Sequence, residues 1–287
     1  MDPPFRSSLG GATRPRTGVA AIGRGSSFWS VDATTPIYYN KAMTEADARR
    51  QIVEAGKRLR DRFFVASNDG NISARLSENE ILITPTNVNK GDVTEDLILK
   101  IDLQGKVISG SLKPSSETKM HLAVYRTRPD VLAIVHAHPP AATGFAACRI
   151  RLDQDVILPE VVFGLGKIGF AEYGTPTTDE IPNAVVKEIP DCEALLLANH
   201  GALTVGTDVM KAYYRMEVLE MTARVRLVTR ILGEPKPLAE GEVAELHRVR
   251  DRQGWGRQAP SLEDVDPRLV DLIAQIVVEI VKKREAP

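Results

Sequence analysis

Cysteine is scarce in this chain: Cys148 and Cys192 are the only two among 287 residues. Two cannot build a disulfide framework, and they read as a pair of buried free thiols in a reducing compartment. Long apolar runs are missing as well. The longest candidate, 269–281, is broken by Asp271, Gln275 and Glu279, well short of the ~20 residues of a membrane span. The N-terminus lacks the apolar core of a secretory signal. Net charge is close to absent, at −1, so neither nucleic acid nor an anionic membrane is an expected partner. No Walker-type G-x-x-x-x-G-K-[ST] loop occurs. These absences point to a cytoplasmic globular protein. Histidine is also rare, with five in all, and three of them fall in two short segments.

Residues 1–42 stand apart. Arg, Gly, Ser, Thr and Pro dominate them, and hydrophobic periodicity is weak. They read as a disordered or loosely packed extension, or as an organelle transit peptide, because Arg6, Arg14, Arg16 and Arg24 face few acids. Order begins near Thr44, which with Asp47 resembles a capping box. Ile52, Ala55, Leu59 and Phe63 then follow helical spacing. Residues 72–76 and 80–84 read as strands. Residues 97–102 and 106–109 read as a hairpin around Gln104-Gly105.

A helix is expected over 117–128, then a strand over 131–138 that Pro139 and Pro140 stop, then a short helix. Residues 194–199 form a second apolar strand. Residues 207–232 form a long helix with Val209, Tyr213, Met216, Leu219 and Ala223 on one side and Gly233 as its cap. A helical piece lies near 242–249, and Asp266-Pro267 opens a last helix with a wide apolar face, suited to docking on the body or on another subunit. The division expected is thus an extension over 1–42, a catalytic domain over 43–233 and a helical C-terminal extension over 234–287. Alternating strands and helices place the chain in the α/β class with a central mixed sheet.

His136 and His138 sit two apart on an expected strand, and side chains at that spacing share a face. Both imidazoles can reach one ion, although two polar rim histidines would look alike. His200 ends the second apolar strand, and Gly201 after it permits a sharp turn and close approach. Three imidazoles with an open fourth position are the arrangement of a catalytic metal. Glu117 follows Ser115-Ser116 at a helix start, where ordinary capping and a favourable helix dipole explain it without any function. Exposed amides at such a start also bind phosphate. Gly70-Asn71 and Thr84-Pro85-Thr86-Asn87 are two more small polar turns that could converge on the same group. His121, one turn after Glu117, reads as a core-satisfied histidine, and His247 as a solvated one. A cupin, a metallo-β-lactamase and an amidohydrolase each need acids or further histidines where this chain has none.

Five ordered segments, Gly70-Asn71-Ile72-Ser73-Ala74-Arg75, Ile83-Thr84-Pro85-Thr86, Pro114-Ser115-Ser116-Glu117 with His121, His136-Ala137-His138 and Asn199-His200-Gly201, together resemble the class II aldolase/adducin family from about Thr44 to Gly233. The resemblance implies a three-layer fold, a mixed and mainly antiparallel sheet flanked by helices. It also implies a homotetramer with active sites between subunits. It makes His136, His138 and His200 ligands of Zn²⁺, or of Mn²⁺ or Co²⁺, and Glu117 the acid/base carboxylate. Gly70, Asn71, Thr86, Asn87, Ser115 and Ser116 fall in the substrate-phosphate pocket. Glu rather than Asp after the serines is similar to the aldolase branch. The implied reaction cleaves a ketose 1-phosphate to dihydroxyacetone phosphate and an aldehyde through a metal-stabilised enediolate. The alternatives on the same scaffold are a decarboxylase or dehydratase of a phosphorylated sugar or sugar acid, and a non-catalytic adducin-like binding protein.

The chain departs from the family pattern at three places. Asn87 stands where the sugar-phosphate aldolases carry Gly. Phe163 stands where they carry a tyrosine proton donor from a neighbouring subunit. No tyrosine follows Tyr214, so a C-terminal tyrosine is missing too. Water or Tyr173 could act in their stead.

Overall fold

The computed structural model describes residues 43–153 and 155–255. The expected extension over 1–42 and the helix from Asp266 lie outside the described residues.

Helix α1 (Glu45–Asp61) starts as its sequence suggests, with Thr44 Oγ1 accepting from the Asp47 amide at 3.1 Å. Its buried face is Ala48, Ile52, Ala55 and Leu59. Phe63 does not continue that face. It takes a left-handed φ of 58° beyond the helix end and is 79% exposed, while Phe64 turns inward in its place. Strands β1 (Asn71–Arg75), β2 (Ile81–Ile83), β3 (Leu99–Ile101) and β4 (Val107–Ser109) form an antiparallel meander. Helix α2 (Thr118–Thr127), strand β5 (Ala133–Ala137) and helix α3 (Pro140–Ala147) follow. After them come β6 (Ile168–Ala171), α4 (Glu180–Glu188), β7 (Ala194–Leu197), β8 (Gly201–Gly206), α5 (Val209–Leu232) and α6 (Glu240–Arg252).

The strands make one eight-stranded sheet in the order β4-β3-β2-β1-β5-β8-β7-β6. Every neighbouring pair is antiparallel except β6–β7. Side chains alternate across a strand, so the sheet feeds two cores. Ile72, Ala74, Ala133, Val135 and Ala137 pack with α1, α3 and α5. Ile81, Ile83, Ile134, Leu203 and Val205 pack with α2 and α4. The result is a three-layer mixed sheet. On α5, Val209, Tyr213, Met216, Leu219 and Ala223 are all fully buried, and the Gly233 amide closes the helix on the Thr229 carbonyl at 2.9 Å.

Two strands escape the sequence reading. The apolar run 194–199 is shorter than expected, ending at Leu197, and a tight turn over 198–200 leads at once into β8. His200 therefore sits in a hairpin turn and not at a strand end. β6, the one strand with a parallel neighbour, was not anticipated either. Cys192 is buried as expected, but Cys148 is exposed at the end of α3, so the two thiols are not a buried pair. No helix among the described residues is long and apolar enough to cross a membrane.

Candidate active site

The sheet register brings the candidate residues together. Asn71 on β1 lies directly opposite His136 on β5, and opposed residues of an antiparallel pair share a face. That face is the α2 side, because Ile134, two residues earlier, packs there. β8 pairs with the other edge of β5, Ala202 against Ala137, so the turn before β8 carries His200 to the same rim. Asn199 takes φ 55° in this turn, a conformation Asn tolerates better than most residues. Gly201 is required by close approach, since a Cβ there would lie 2.5 Å from His138 Cδ2 and 2.6 Å from the Ala137 carbonyl oxygen. His138 stands one residue beyond β5, its amide donating to the Phe64 carbonyl at 2.8 Å.

The three rings form a near-equilateral triangle, with centroids 5.0, 4.8 and 5.1 Å apart. One ligand atom from each lies within 4.8 Å of the others. His136 Nδ1 faces the Ala202 carbonyl at 2.8 Å, and a carbonyl can only accept. His136 Nε2 therefore presents its lone pair inward, 3.1 Å from His138 Nε2. Ligands of a tetrahedral ion at about 2.0–2.1 Å lie roughly 3.3 Å from one another. The donor set and its spacing are consistent with a divalent-metal site. A hydrogen bond from the far nitrogen to a carbonyl is also how ligating histidines are commonly oriented.

Glu117 completes the cluster. Its Oε2 is 3.1 Å from His136 Nε2 and its Oε1 is 3.0 Å from His200 Nε2. The expected serine cap does not form: Glu117 is itself the N-cap residue of α2, no side chain caps the helix, and the serine acts in the turn just before it. Ser115 Oγ accepts from the Glu117 amide at 3.2 Å, and the Ser115 carbonyl accepts from the Thr118 amide at 3.1 Å. Ser115 thus serves that turn, and the Glu117 side chain is left to turn inward. Burial opposes the charge on Glu117, but His136 and His200 beside it hold the carboxyl well below the usual carboxylate range. Burial likewise opposes charge on His136, yet Glu117 raises its pKa. The cluster thus attracts positive charge. His138 is pulled down to about 3 by burial and by the other two imidazoles, which keeps it in the neutral form that binds metals.

Behind Glu117 runs a buried chain of hydrogen bonds. Asn71 Nδ2 donates to Glu117 Oε2 at 2.7 Å, and Asn71 Oδ1 lies 2.5 Å from His121 Nε2. His121 Nδ1 is 2.6 Å from Ser73 Oγ, which is 2.8 Å from Tyr125 Oη. The polarity follows from the carboxylate end. The Asn71 oxygen can only accept, so His121 Nε2 carries the ring proton and Nδ1 accepts from Ser73. Burial drives His121 down to about 3, so the ring stays neutral. It is core-satisfied, as its sequence context suggests, and it also orients Asn71. Ser73 and Tyr125 gave no signal in the sequence, because a serine in a strand and a tyrosine in a helix read as packing.

The turns expected to hold a phosphate are neighbours. The Thr84 amide donates to the Ile72 carbonyl at 3.0 Å, the Thr86 amide to the Lys113 carbonyl at 3.0 Å, and the Ser115 amide to the Thr84 carbonyl at 3.3 Å. Gly70 takes φ 71°, and a Cβ there would meet the His136 carbonyl oxygen at 2.8 Å. Asn87 takes φ 58°, so it keeps the left-handed turn that Gly would otherwise occupy. Ser116 and Asn87 are exposed and Thr86 is half-buried. Asn71 differs from these. It is 2% exposed, and its amide is bonded to Glu117 and His121.

Phe163 lies in a π-helical turn, Val161–Leu165, and its ring meets Trp255 edge-on at 5.6 Å. Tyr173 is 52% exposed after β6. A cavity of about 460 Å³ opens between Arg62, Phe64 and the α5 residues Glu217, Glu220, Met221 and Arg224. It contains none of the clustered side chains.

Residues 50–227 match the Class II Aldolase and Adducin N-terminal domain. The chain is 34% identical over 180 residues to the L-fuculose phosphate aldolase of Methanocaldococcus jannaschii, covering 63% of this chain and 96% of the relative. It is 35% identical over 209 residues to the 3-oxo-tetronate 4-phosphate decarboxylase of Pectobacterium atrosepticum, covering 71% and 94%. A solved L-fuculose 1-phosphate aldolase superposes with a TM-score of 0.67 at 30% identity, over 74% of this chain and 99% of its own. The chain belongs to the class II aldolase and adducin N-terminal domain family.

Proposed function

We propose that this protein is a metal-dependent carbon–carbon lyase that cleaves a ketose 1-phosphate to dihydroxyacetone phosphate and an aldehyde. The observation that carries the reading is the Glu117 carboxylate, set 3.0 and 3.1 Å from two imidazole nitrogens of the triad. His136, His138 and His200 would hold the ion, with zinc the first choice and manganese or cobalt as substitutes. A divalent metal held by three neutral ligands supplies Lewis-acid charge for the oxygens that become negative as the carbon–carbon bond breaks.

The other roles fall to the chain's own residues. Asn71 fixes Oε2 of Glu117, which leaves Oε1 on the His200 side to give or take the carbon-bound proton. Gly70, Thr86, Asn87, Ser115 and Ser116 bind the phosphate, and that remote binding energy holds the reacting carbons in place. We assign Asn71 to the carboxylate more than to the phosphate, since its amide is already bonded to Glu117 and His121. The triad lies at the sheet rim with two of its rings partly exposed, which suits a site completed by a neighbouring subunit of a homotetramer.

A second reading is decarboxylation of a phosphorylated 3-oxo sugar acid. It is favoured by the decarboxylase relative and by Phe163, which cannot take the hydroxyl proton that leaves as an aldehyde forms. Loss of carbon dioxide from a carboxylate needs no such proton acceptor on the leaving side. The two are separated by incubating the metal-loaded protein with a panel of ketose 1-phosphates and, in parallel, with 3-oxo-tetronate 4-phosphate. Dihydroxyacetone phosphate is followed by a coupled dehydrogenase in the first case, and carbon dioxide release is followed in the second. The aldolase reading expects dihydroxyacetone phosphate from at least one ketose. Carbon dioxide release alone would overturn it in favour of the second reading.

A further inference from the structure

Lys90 opens a short 3-10 turn, Lys90–Asp92, and is 1% exposed. Its Nζ donates to two backbone carbonyls, Asn68 at 2.9 Å and Val88 at 2.5 Å. Among the described residues no carboxylate forms an ion pair with it. A buried cation without a paired anion is strongly unfavourable, because the interior gives back little of the lost hydration. The two carbonyls and the charges of Asp69 and Glu117 offset that cost in part.

Its position suggests what offsets the rest. Asn68 belongs to the turn that carries Gly70, and Val88 follows Thr86-Asn87. The same two turns are tied by Asn89 Nδ2 donating to the Ser67 carbonyl at 2.5 Å and Asn68 Nδ2 to Asn87 Oδ1 at 3.2 Å. The residues assigned to the phosphate, Gly70, Thr86, Asn87, Ser115 and Ser116, are all uncharged. A phosphate monoester carries about −1.5 to −2 at neutral pH. The pocket so far has donors for that group but no opposing charge.

We propose that Lys90 is the buried counter-charge of the phosphate pocket. It lies behind the backbone of the two turns and favours a dianionic phosphate in front of them. It is a positioning and electrostatic residue, not a catalytic one, and the proposal rests on the reading that the substrate is phosphorylated. Burial lowers its pKa to about 8, with Asp69 and Glu117 acting in the opposite direction. The other charged groups near its turn are Arg60, which lies against Gly91, and Asp61 and Asp92, which pair with Arg60. A lysine with this pKa is charged at pH 7 and loses its charge as pH rises through about 8, so phosphate affinity should fall over that range.

The test is calorimetric titration of inorganic phosphate into the metal-loaded full chain at pH 7.0, 8.0 and 9.5. Wild type is compared with Lys90→Met and Lys90→Arg, each checked for metal content and thermal melting. Wild type should bind about tenfold more tightly than Lys90→Met at pH 7.0, a loss of the size expected from one Coulombic partner at the pocket. Wild-type affinity should drop several-fold by pH 9.5. Lys90→Arg, whose guanidinium stays protonated, should not show that drop, and this comparison stands even if the Met variant does not fold. Folded Lys90→Met that binds as tightly as wild type, or Lys90→Arg with the wild-type pH profile, overturns the proposal and leaves the phosphate reading intact. Wild type that binds no phosphate at any pH overturns both.

Discussion

Glu117 is pulled two ways. Its backbone is the N-cap of α2, with its amide bonded to Ser115 Oγ in the preceding turn, while its carboxylate is bonded to Asn71 and faces His136 and His200. The helix needs nothing from that carboxylate, so its chemistry can be removed without removing the helix. Glu117→Gln keeps an oxygen for the Asn71 amide and a similar volume. It should bind metal with unchanged stoichiometry and lose turnover by about 10²–10⁴-fold, the range for a general acid/base. Metal analysis and a steady-state assay on the same preparation check both halves, and unchanged turnover removes Glu117 from the role. At this scale the sequence was legible where residue type and spacing coincide. His136 and His138 at period two, and Ser-Ser-Glu before a helix, could be placed without coordinates. Lys90 could not, because a lysine in a polar run reads as solvated, and only the fold puts it beneath two turns.

The elements around the histidine triangle are short and tightly turned, and glycines mark the closest contacts. Gly201 starts β8 against His138 and the Ala137 carbonyl, and neither neighbour can withdraw easily, because Ala137 is paired with Ala202 in the sheet. Gly201→Ala should therefore displace His138 and weaken metal binding by 10- to 100-fold, the effect typical of losing a group that orients a ligand. Competition with a chromophoric chelator measures this, and an unchanged affinity would show that the turn geometry does not position the ligand. The same hairpin shows why sequence patterning stopped short here. β7 and β8 are each buried at every position and lack the alternation of a half-buried strand, so alternation could not mark the second strand beyond the Asn199-His200-Gly201 turn. Phe63 was misjudged for a related reason: helical spacing continues through it, but the chain leaves the helix at a left-handed residue that spacing does not reveal. On α5 the sequence-based boundaries fall within two residues of those observed and the expected core positions are buried, whereas α1 starts where expected but ends at Asp61, short of the polar turn expected to end it.

For the whole molecule, the three layers set the site at one rim of the sheet. β1, β5 and the β7–β8 turn meet there beneath α2. The α/β class and mixed sheet followed from the alternation of elements. The antiparallel order β4-β3-β2-β1-β5-β8-β7 and the single parallel edge did not, since pairing between distant strands leaves no local trace. The family match supports the same architecture over 50–227. An ion binding only the folded triad would stabilise the chain by about 2.7 kcal/mol at a hundredfold excess over its dissociation constant. Turnover should require a divalent ion held by His136, His138 and His200 beside Glu117. The direct measurement is metal content by elemental analysis alongside turnover, before and after exhaustive chelation and after metal return. One divalent ion per chain is expected, with loss of both ion and turnover on chelation and recovery of both on adding zinc. Full turnover in rigorously metal-free protein would contradict that requirement.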